Sequence, residues 1–299
     1  MTLAPLPGGF AAPELYDVLK NACATVGLDD TEVELLRGHT NAVVRLPTAG
    51  VVAKIARKGT PVASVQRTVA FVRWLMDQGF PTVPLHPGVT QPVVVDGHPV
   101  TFWTYLLQNG TPIHARDLAQ PLHALHGLPA PPVRMRELDN VAAVRRSLAA
   151  ITTLPQEELA FLHQRIDHLE LALKDVEFAL PPGVVQGDPQ HRNALHDEQR
   201  TVLCDWDTVA HGQPEWDLVT VEIHCRRFGH GFGHYEQFAD VYGFDVTTWS
   251  GYQVLRDIRE LRMVTTNARK ARHTPGSLAE VRRRIRGLQN DTELRWSIL

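Results

Sequence analysis

Cysteine is scarce in this 299-residue chain: Cys23, Cys204 and Cys225 lie far apart, with no C-x-x-C pair. An odd, sparse set suits a reducing compartment and argues against a disulfide framework or a zinc site. No apolar run approaches the length needed to span a bilayer. Met1 to Pro13 lacks a basic start followed by an apolar core, so no signal peptide is expected. An excess of either charge is missing too, because 30 Lys and Arg face 33 Asp and Glu for a net −3. Nothing in that balance implies attraction to nucleic acid or to an anionic membrane. Internal repeats and low-complexity tracts are absent. What remains is 43% hydrophobic and 21% charged. That composition fits a globular protein of one or two lobes with a large core, expected in the cytoplasm.

The apolar pattern changes along the chain. Glu14 to Val26 reads as an amphipathic helix with Leu15, Val18, Leu19 and Ala22 on one face. Val33 to Pro47 alternates, turns at Thr48-Ala49-Gly50 and pairs with Val51 to Ala56 as a hairpin. Val65 to Met76 is helical by spacing, and Pro92-Val93-Val94-Val95 is a short strand closed by an Asp96-Gly97 turn. Beyond that point helices dominate: Ala115 to His126, Leu138 to Ile151, Gln156 to Leu173, and further ones starting near Asp217, Tyr235, Val254 and Ser277.

The chemistry is concentrated in Gly187-Asp188-Pro189-Gln190-His191-Arg192-Asn193, followed eleven residues later by Cys204-Asp205-Trp206-Asp207. Apolar runs at Gly183 to Gln186 and Thr201 to Cys204, with the polar turn His196 to Arg200 between them, predict strand, loop, short strand, turn and strand. Carboxylates then fall at strand ends, where a rigid scaffold can aim them. Asp188 is suited to accept the proton of an attacking hydroxyl. Asn193 and Asp205 offer the hard oxygen ligands that Mg²⁺ prefers. Taken singly, Gly-Asp-Pro is a common turn and Asp-x-Asp a common loop cap. Their joint spacing is much harder to obtain by chance.

That joint pattern, extended by Glu215-Trp216-Asp217-Leu218, resembles the catalytic region of the aminoglycoside phosphotransferase and choline kinase-like family. The resemblance implies a protein-kinase-like, bilobal α+β fold with a small antiparallel-sheet N-lobe and a larger, mainly helical C-lobe. It assigns residues 1–104 to nucleotide binding and residues 105–299 to catalysis and substrate binding. Gly38-His39-Thr40-Asn41-Ala42-Val43-Val44-Arg45 matches the family's phosphate-covering loop, and Val51-Val52-Ala53-Lys54-Ile55 is like its lysine strand. Thr40, Asn41 and Lys54 are thereby implied in binding the phosphates of ATP or GTP. Trp103 and Tyr105 fall in the stretch where the family holds adenine. Asp188 is the implied catalytic base. Asn193 and Asp205 are the implied magnesium ligands, and Asp207 is a second-metal or supporting carboxylate.

Two departures stand out. The position aligned with the kinase helix Glu is Thr68, and no acidic residue occurs between Lys54 and Asp77. Pro189-Gln190 replaces the usual pair after the base, which stiffens the loop without removing a chemical group. The implied reaction moves a γ-phosphoryl group to a hydroxyl of a small molecule, such as an aminoglycoside, a related amino sugar or a natural product, with antibiotic resistance as its setting. Glu222, Asp257 and Glu260 are candidate contacts for a cationic acceptor, and Asp217 reads as a helix cap. The same third of the chain carries Arg226, Arg227, Arg256, Arg259 and Arg262, so sugars and amino alcohols fit the charge about as well. The alternative from another class is a pseudokinase that binds nucleotide or acts as a scaffold with little turnover. A monomer or weak homodimer is expected. In Gly229 to His234 a substrate-facing loop is favoured over a metal site, and Arg282, Arg283, Arg284 and Arg286 read as a solvated helix face.

Overall fold

The alternating stretch after the first helix folds as expected, into a small antiparallel sheet. In the computed structural model, which describes residues 11–299 apart from 39, 40, 199 and 273, the chain divides into two units. One comprises the chain as far as Thr111 together with Pro131–Arg134 and Leu195–Asp207; the other comprises Pro112–Ala130, Met135–Ala194 and Thr208–Leu299.

The first unit opens with helix α1 (Ala12–Val26), ended by Gly27 in the left-handed region. Strands β1 (Glu34–Gly38), β2 (Ala42–Leu46) and β3 (Val51–Ile55) follow. Then come helix α2 (Val62–Asp77), β4 (Val93–Val95) and β5 (His98–Thr104). The sheet order is β1-β2-β3-β5-β4, antiparallel throughout. Asp96 and Gly97 both take positive φ, 48° and 81°, which a two-residue type I′ hairpin demands. One sheet face is apolar at every second residue: Ala42, Val44 and Leu46 on β2, then Val51, Ala53 and Ile55 on β3. Leu15, Val18, Leu19 and Ala22 of α1 bury against that face. Period-2 and period-3.6 patterns thus meet in one core.

The larger unit is helical: α3 (Ala115–His126), α4 (Asn140–Ala149) and α5 (Gln156–Leu173) come first. The chain then makes β6 (Gly183–Val185) and, passing into the first unit at Leu195, the hairpin of β7 (Ala194–Asp197) with β8 (Arg200–Leu203). Next comes β9 (Ala210–Gly212), which pairs with β6. Helices α6 (Glu215–Arg227), α7 (Phe232–Tyr242), α8 (Tyr252–Lys270) and α9 (Leu278–Gln289) complete it. Helix α8 packs against α4, α5, α6 and α9, and α3 packs against α7. The arginines of α9 do not all lie on a solvated face. Arg284 is buried, with its guanidinium 4.5 Å from the centre of the Trp296 ring and an Nε hydrogen bond to Glu280.

Within the first unit, β8 is tied to the segment after α2. Leu203 exchanges backbone hydrogen bonds with Pro81 and Val83, and the Trp206 indole N–H donates to the Thr82 hydroxyl at 2.9 Å. The Trp206 ring is buried edge-on against Phe71 and Phe80. This one aromatic fixes the strand end on which Asp205 and Asp207 stand. Trp206→Ala should therefore lower stability by roughly 3–5 kcal/mol, measured as a shift in urea midpoint, with Trp206→Phe costing clearly less.

Candidate functional site

In the first unit the candidate residues form one polar cluster. Lys54 leaves the middle of the sheet on β3, and its ammonium lies 2.9 Å from Asp205 Oδ1 and 2.8 Å from Asp207 Oδ2. Asn41 donates its amide to the same Asp207 oxygen at 2.8 Å. Burial on its own would depress the lysine, but the two carboxylates outweigh it and hold the pKa above the ordinary lysine value. The expected helix partner is supplied differently: Thr68 on α2 bonds the Ser64 carbonyl of its own helix, while both acids on Lys54 come from the segment after β8. Asp205 takes φ 58°, a left-handed conformation uncommon for a residue with a side chain. Thr40 lies outside the described residues. Trp103 is on β5, with its indole N–H on Thr101. Tyr105 donates its backbone N–H to Gly50 and carries the Arg45 guanidinium 4.1 Å above its ring.

The larger unit holds Asp188 and Asn193 in the loop after β6. Gly187 has φ 85°, and a Cβ there would come within 2.5 Å of the Thr208 carbonyl, so only glycine fits. Two backbone N–H groups of this loop, at Gln186 and Gly187, donate to the Asp217 carboxylate at 2.7 and 2.8 Å. His126 Nε2 meets the same carboxylate at 3.1 Å, and Tyr242 Oη meets the other ring nitrogen at 2.7 Å. Asp217 is therefore not the helix cap expected from sequence. It is fully buried on α6 and braces the loop that carries Asp188. The Trp216 indole adds a hydrogen bond to the Gly187 carbonyl at 3.0 Å.

Asp188 is held by its neighbours on both oxygens. Gln190 donates to Oδ2 at 3.0 Å, and Arg259 of α8 donates to Oδ1. Burial would raise this carboxyl, but Arg259, His224 and Arg262 pull it below the usual aspartate value. Asn193 donates its amide N–H to the Asp188 carbonyl at 2.9 Å, leaving the amide oxygen as its ligating atom. Sequence reasoning missed Arg259, Trp216 and His126 as parts of this site. The signal available was the spacing of Arg259 and Arg262 one helical turn apart, with Trp216 next to Asp217.

The three expected acceptor contacts are committed elsewhere, which corrects that expectation. Glu222 and Glu260 are each 2% exposed, held by Arg226 and, for Glu260, also by Arg227. Arg226 and Arg227 hold Glu260 well below the ordinary glutamate value against the opposing effect of burial. Asp257 pairs with Arg165 and Arg256. Carboxylates saturated by guanidiniums inside a helix bundle do not offer charge to a ligand.

A chain of imidazoles adjoins Asp188. His191 stacks on His230 at 4.3 Å between ring centres, lies 6.5 Å from His224, and His230 leads on to His234 and His114. Burial, then like charge from its neighbours, pushes His191 down to about 4. Burial likewise pushes His224 down to about 3, opposed by Asp188. Both rings are neutral at pH 7. Among the described residues, no three His, Cys, Asp or Glu side chains form a metal-binding group. Asp205 and Asp207 in the first unit, and separately the Asn193 amide oxygen in the larger one, are hard oxygen donors of the kind magnesium takes.

A sequence profile of the phosphotransferase enzyme family, APH, matches residues 32–258. Curated proteins give no sequence match. Among solved structures, the choline kinase LicA from Streptococcus pneumoniae superposes with TM-score 0.67 at 16% identity, covering 93% of this chain and 99% of that one. The amicoumacin kinase hAmiN, solved with AMP-PNP, Ca²⁺ and Ami, gives 0.72 at 14% identity, covering 94% of each chain. The spectinomycin phosphotransferase APH(9)-Ia, solved with ADP and spectinomycin, gives 0.62 at 15% identity, covering 92% of this chain and 93% of that one. At these identities the likeness is one of fold. No helix is long and apolar enough to cross a membrane among the described residues.

Two measurements test the site's construction. Asp217→Ala strands two loop N–H groups and His126, and is expected to cost roughly 3–5 kcal/mol in urea unfolding, with Asp217→Asn milder. Because His191 and His224 titrate below the free value of 6.5, the unfolded chain takes up protons first as pH falls. Stability should be level above pH about 7 and decline below pH about 6.5 by up to about 1.4 kcal/mol per pH unit for each histidine. In His191→Gln that decline should be shallower in urea titrations repeated across the pH range.

Proposed function

Because the chain belongs to the phosphotransferase enzyme family, we propose that it transfers the γ-phosphoryl group of ATP or GTP to a hydroxyl of a small molecule, with magnesium. The observation that carries this reading is Lys54 gripped by Asp205 and Asp207, with Asn41 on Asp207. A strand lysine beside the aspartate of the metal-binding segment is the arrangement phosphoryl transfer uses. It also meets the need for a lysine partner without a helix glutamate, which weakens the pseudokinase alternative. The nucleotide and Ca²⁺ named with hAmiN support a nucleotide donor and a divalent cation here.

Each residue then has a role. Lys54 steadies the donor phosphates, while Thr40 and Asn41 cover them. Asp205 and Asn193 would supply oxygen ligands to the cation, with Asp207 as a further carboxylate. A cation held there would supply neutralisation of the charge that develops on the phosphate oxygens. Asp188 orients the acceptor hydroxyl and takes its proton as the oxygen bonds to phosphorus and the nucleoside diphosphate leaves. With its carboxyl held low, Asp188 stays ionised through the neutral range and serves mainly to position the nucleophile.

Asp188→Ala is expected to lower transfer by roughly 10²–10⁴-fold with the circular dichroism spectrum unchanged, and Asp205→Ala to abolish metal-dependent nucleotide binding. Chelation by EDTA should stop ADP formation, and added Mg²⁺ should restore it. Undiminished transfer in both purified variants would defeat the assignment.

A further inference from the structure

The guanidiniums gathered at Asp188 bear on what the acceptor is. Arg259 is 5% exposed and reaches Asp188 Oδ1 with one amino group, while its buried Nε–H has no partner. Arg262, one turn further along α8, bonds the Asn140 side chain. Both guanidiniums lie 5.4 Å from the centre of the Trp216 ring. Two like charges a helical turn apart repel, and each is taken out of water at a cost that a counter-charge must offset. After burial, the strongest influences on Arg262 are Arg259, Asp188, Arg136 and Arg146, which leave its pKa lowered to about 10. Asp188 is the single acid in that set. The other carboxylates of α6 and α8 face elsewhere: Glu222 and Glu260 pair with Arg226 and Arg227, Asp257 with Arg165 and Arg256, and Asp217 and one oxygen of Glu215 accept from backbone N–H groups. His191 and His224 alongside are neutral, and His191 Nε2 is also buried without a partner.

Arg259 and Arg262 therefore share one direct carboxylate partner, Asp188, and hydrogen-bonding capacity is left over. We propose that the acceptor bears an anionic group, a carboxylate or a phosphate monoester, near the hydroxyl that Asp188 receives, and that Arg259 and Arg262 bind it. The inference rests on the phosphotransferase reading above and narrows it, away from polycationic aminoglycosides. Arginine is suited to this role because its planar fork of donors matches the paired oxygens of either group. An arriving anion takes the donor edge of Arg259 that Asp188 does not use. The base stays paired, and the charge of the cluster is balanced only when the acceptor is present.

The experiment measures thermal shifts of the intact protein saturated with AMP-PNP and Mg²⁺, so that the nucleotide site is filled. Gluconate, glucose 6-phosphate, glucose, glucosamine, choline and kanamycin are added at constant ionic strength. Gluconate and glucose 6-phosphate are expected to raise Tm, glucose weakly if at all, and the three cations not at all. Whichever anion gives the larger shift tells carboxylate from phosphate. Arg259→Gln with Arg262→Gln should abolish the anion shift while the AMP-PNP shift persists. Arg262→Lys, which keeps the charge, should retain part of it. Stabilisation by cations rather than anions, no anion shift in the wild type, or an anion shift undiminished in the double variant overturns the inference. Absence of any AMP-PNP shift strikes instead at the phosphotransferase reading, and the anion series still decides this one.

Discussion

The larger unit is organised around a single buried carboxylate. Asp217 takes two consecutive backbone N–H groups and one imidazole, with no solvent exposure. An unpaired charge at that depth would be severely destabilising, whereas three donors satisfy it. The loop before Asp188 is thus fixed by α6 rather than by strand pairing, since β6 stops at Val185. Trp216 repeats the device with opposite polarity by donating to the Gly187 carbonyl, and Gly187 itself sits where any Cβ would strike Thr208. Backbone donors, a backbone acceptor and a steric limit therefore hold one short turn from three sides. The carboxylate of Asp188 inherits that rigidity, which is what orienting a nucleophile requires.

The smaller unit solves a different problem. A lysine on the central strand of a sheet must be both buried and charged, and burial alone disfavours the charge. Two aspartates on one side of a three-residue segment supply the counter-charge, while the intervening Trp206 turns inward onto Phe71 and Phe80. Alternation across this short stretch gives acid outward, indole inward, acid outward. The left-handed φ of Asp205 is the conformational cost. The lysine thereby stays charged in spite of its burial.

Much of this architecture is legible in the sequence. The alternation of β2 and β3, the Asp96-Gly97 turn, the helix face of α1 and the span of α5 depend on local periodicity, and the structure follows them closely. Asp188, Asn193, Lys54 and Asp205 stand out because their spacing is chemical rather than conformational. The partners are less legible. Asp217 reads as a cap because it opens a helix, yet its side chain turns to a loop about thirty residues earlier. Arg284 reads as solvated from its neighbours, but the C-terminal Trp296 covers it. In both cases the deciding contact is distant in sequence, and periodicity carries no information about distant partners.

The acceptor field shows the same limit most sharply. Counting charges in the last third of the chain gives near balance, and a balanced count admits almost any acceptor. Pairing removes that ambiguity, because a carboxylate closed on an arginine inside the bundle contributes little field to its surroundings. Glu222, Glu260 and Asp257 are closed on Arg226, Arg227, Arg165 and Arg256, whereas Arg259 and Arg262 share Asp188. Those two arginines lie on the same indole whose N–H fixes Gly187. Trp216 therefore couples the placement of the base to the placement of positive charge beside it. A change in that ring would alter both at once, so the geometry of proton acceptance and the sign of the local field form one design.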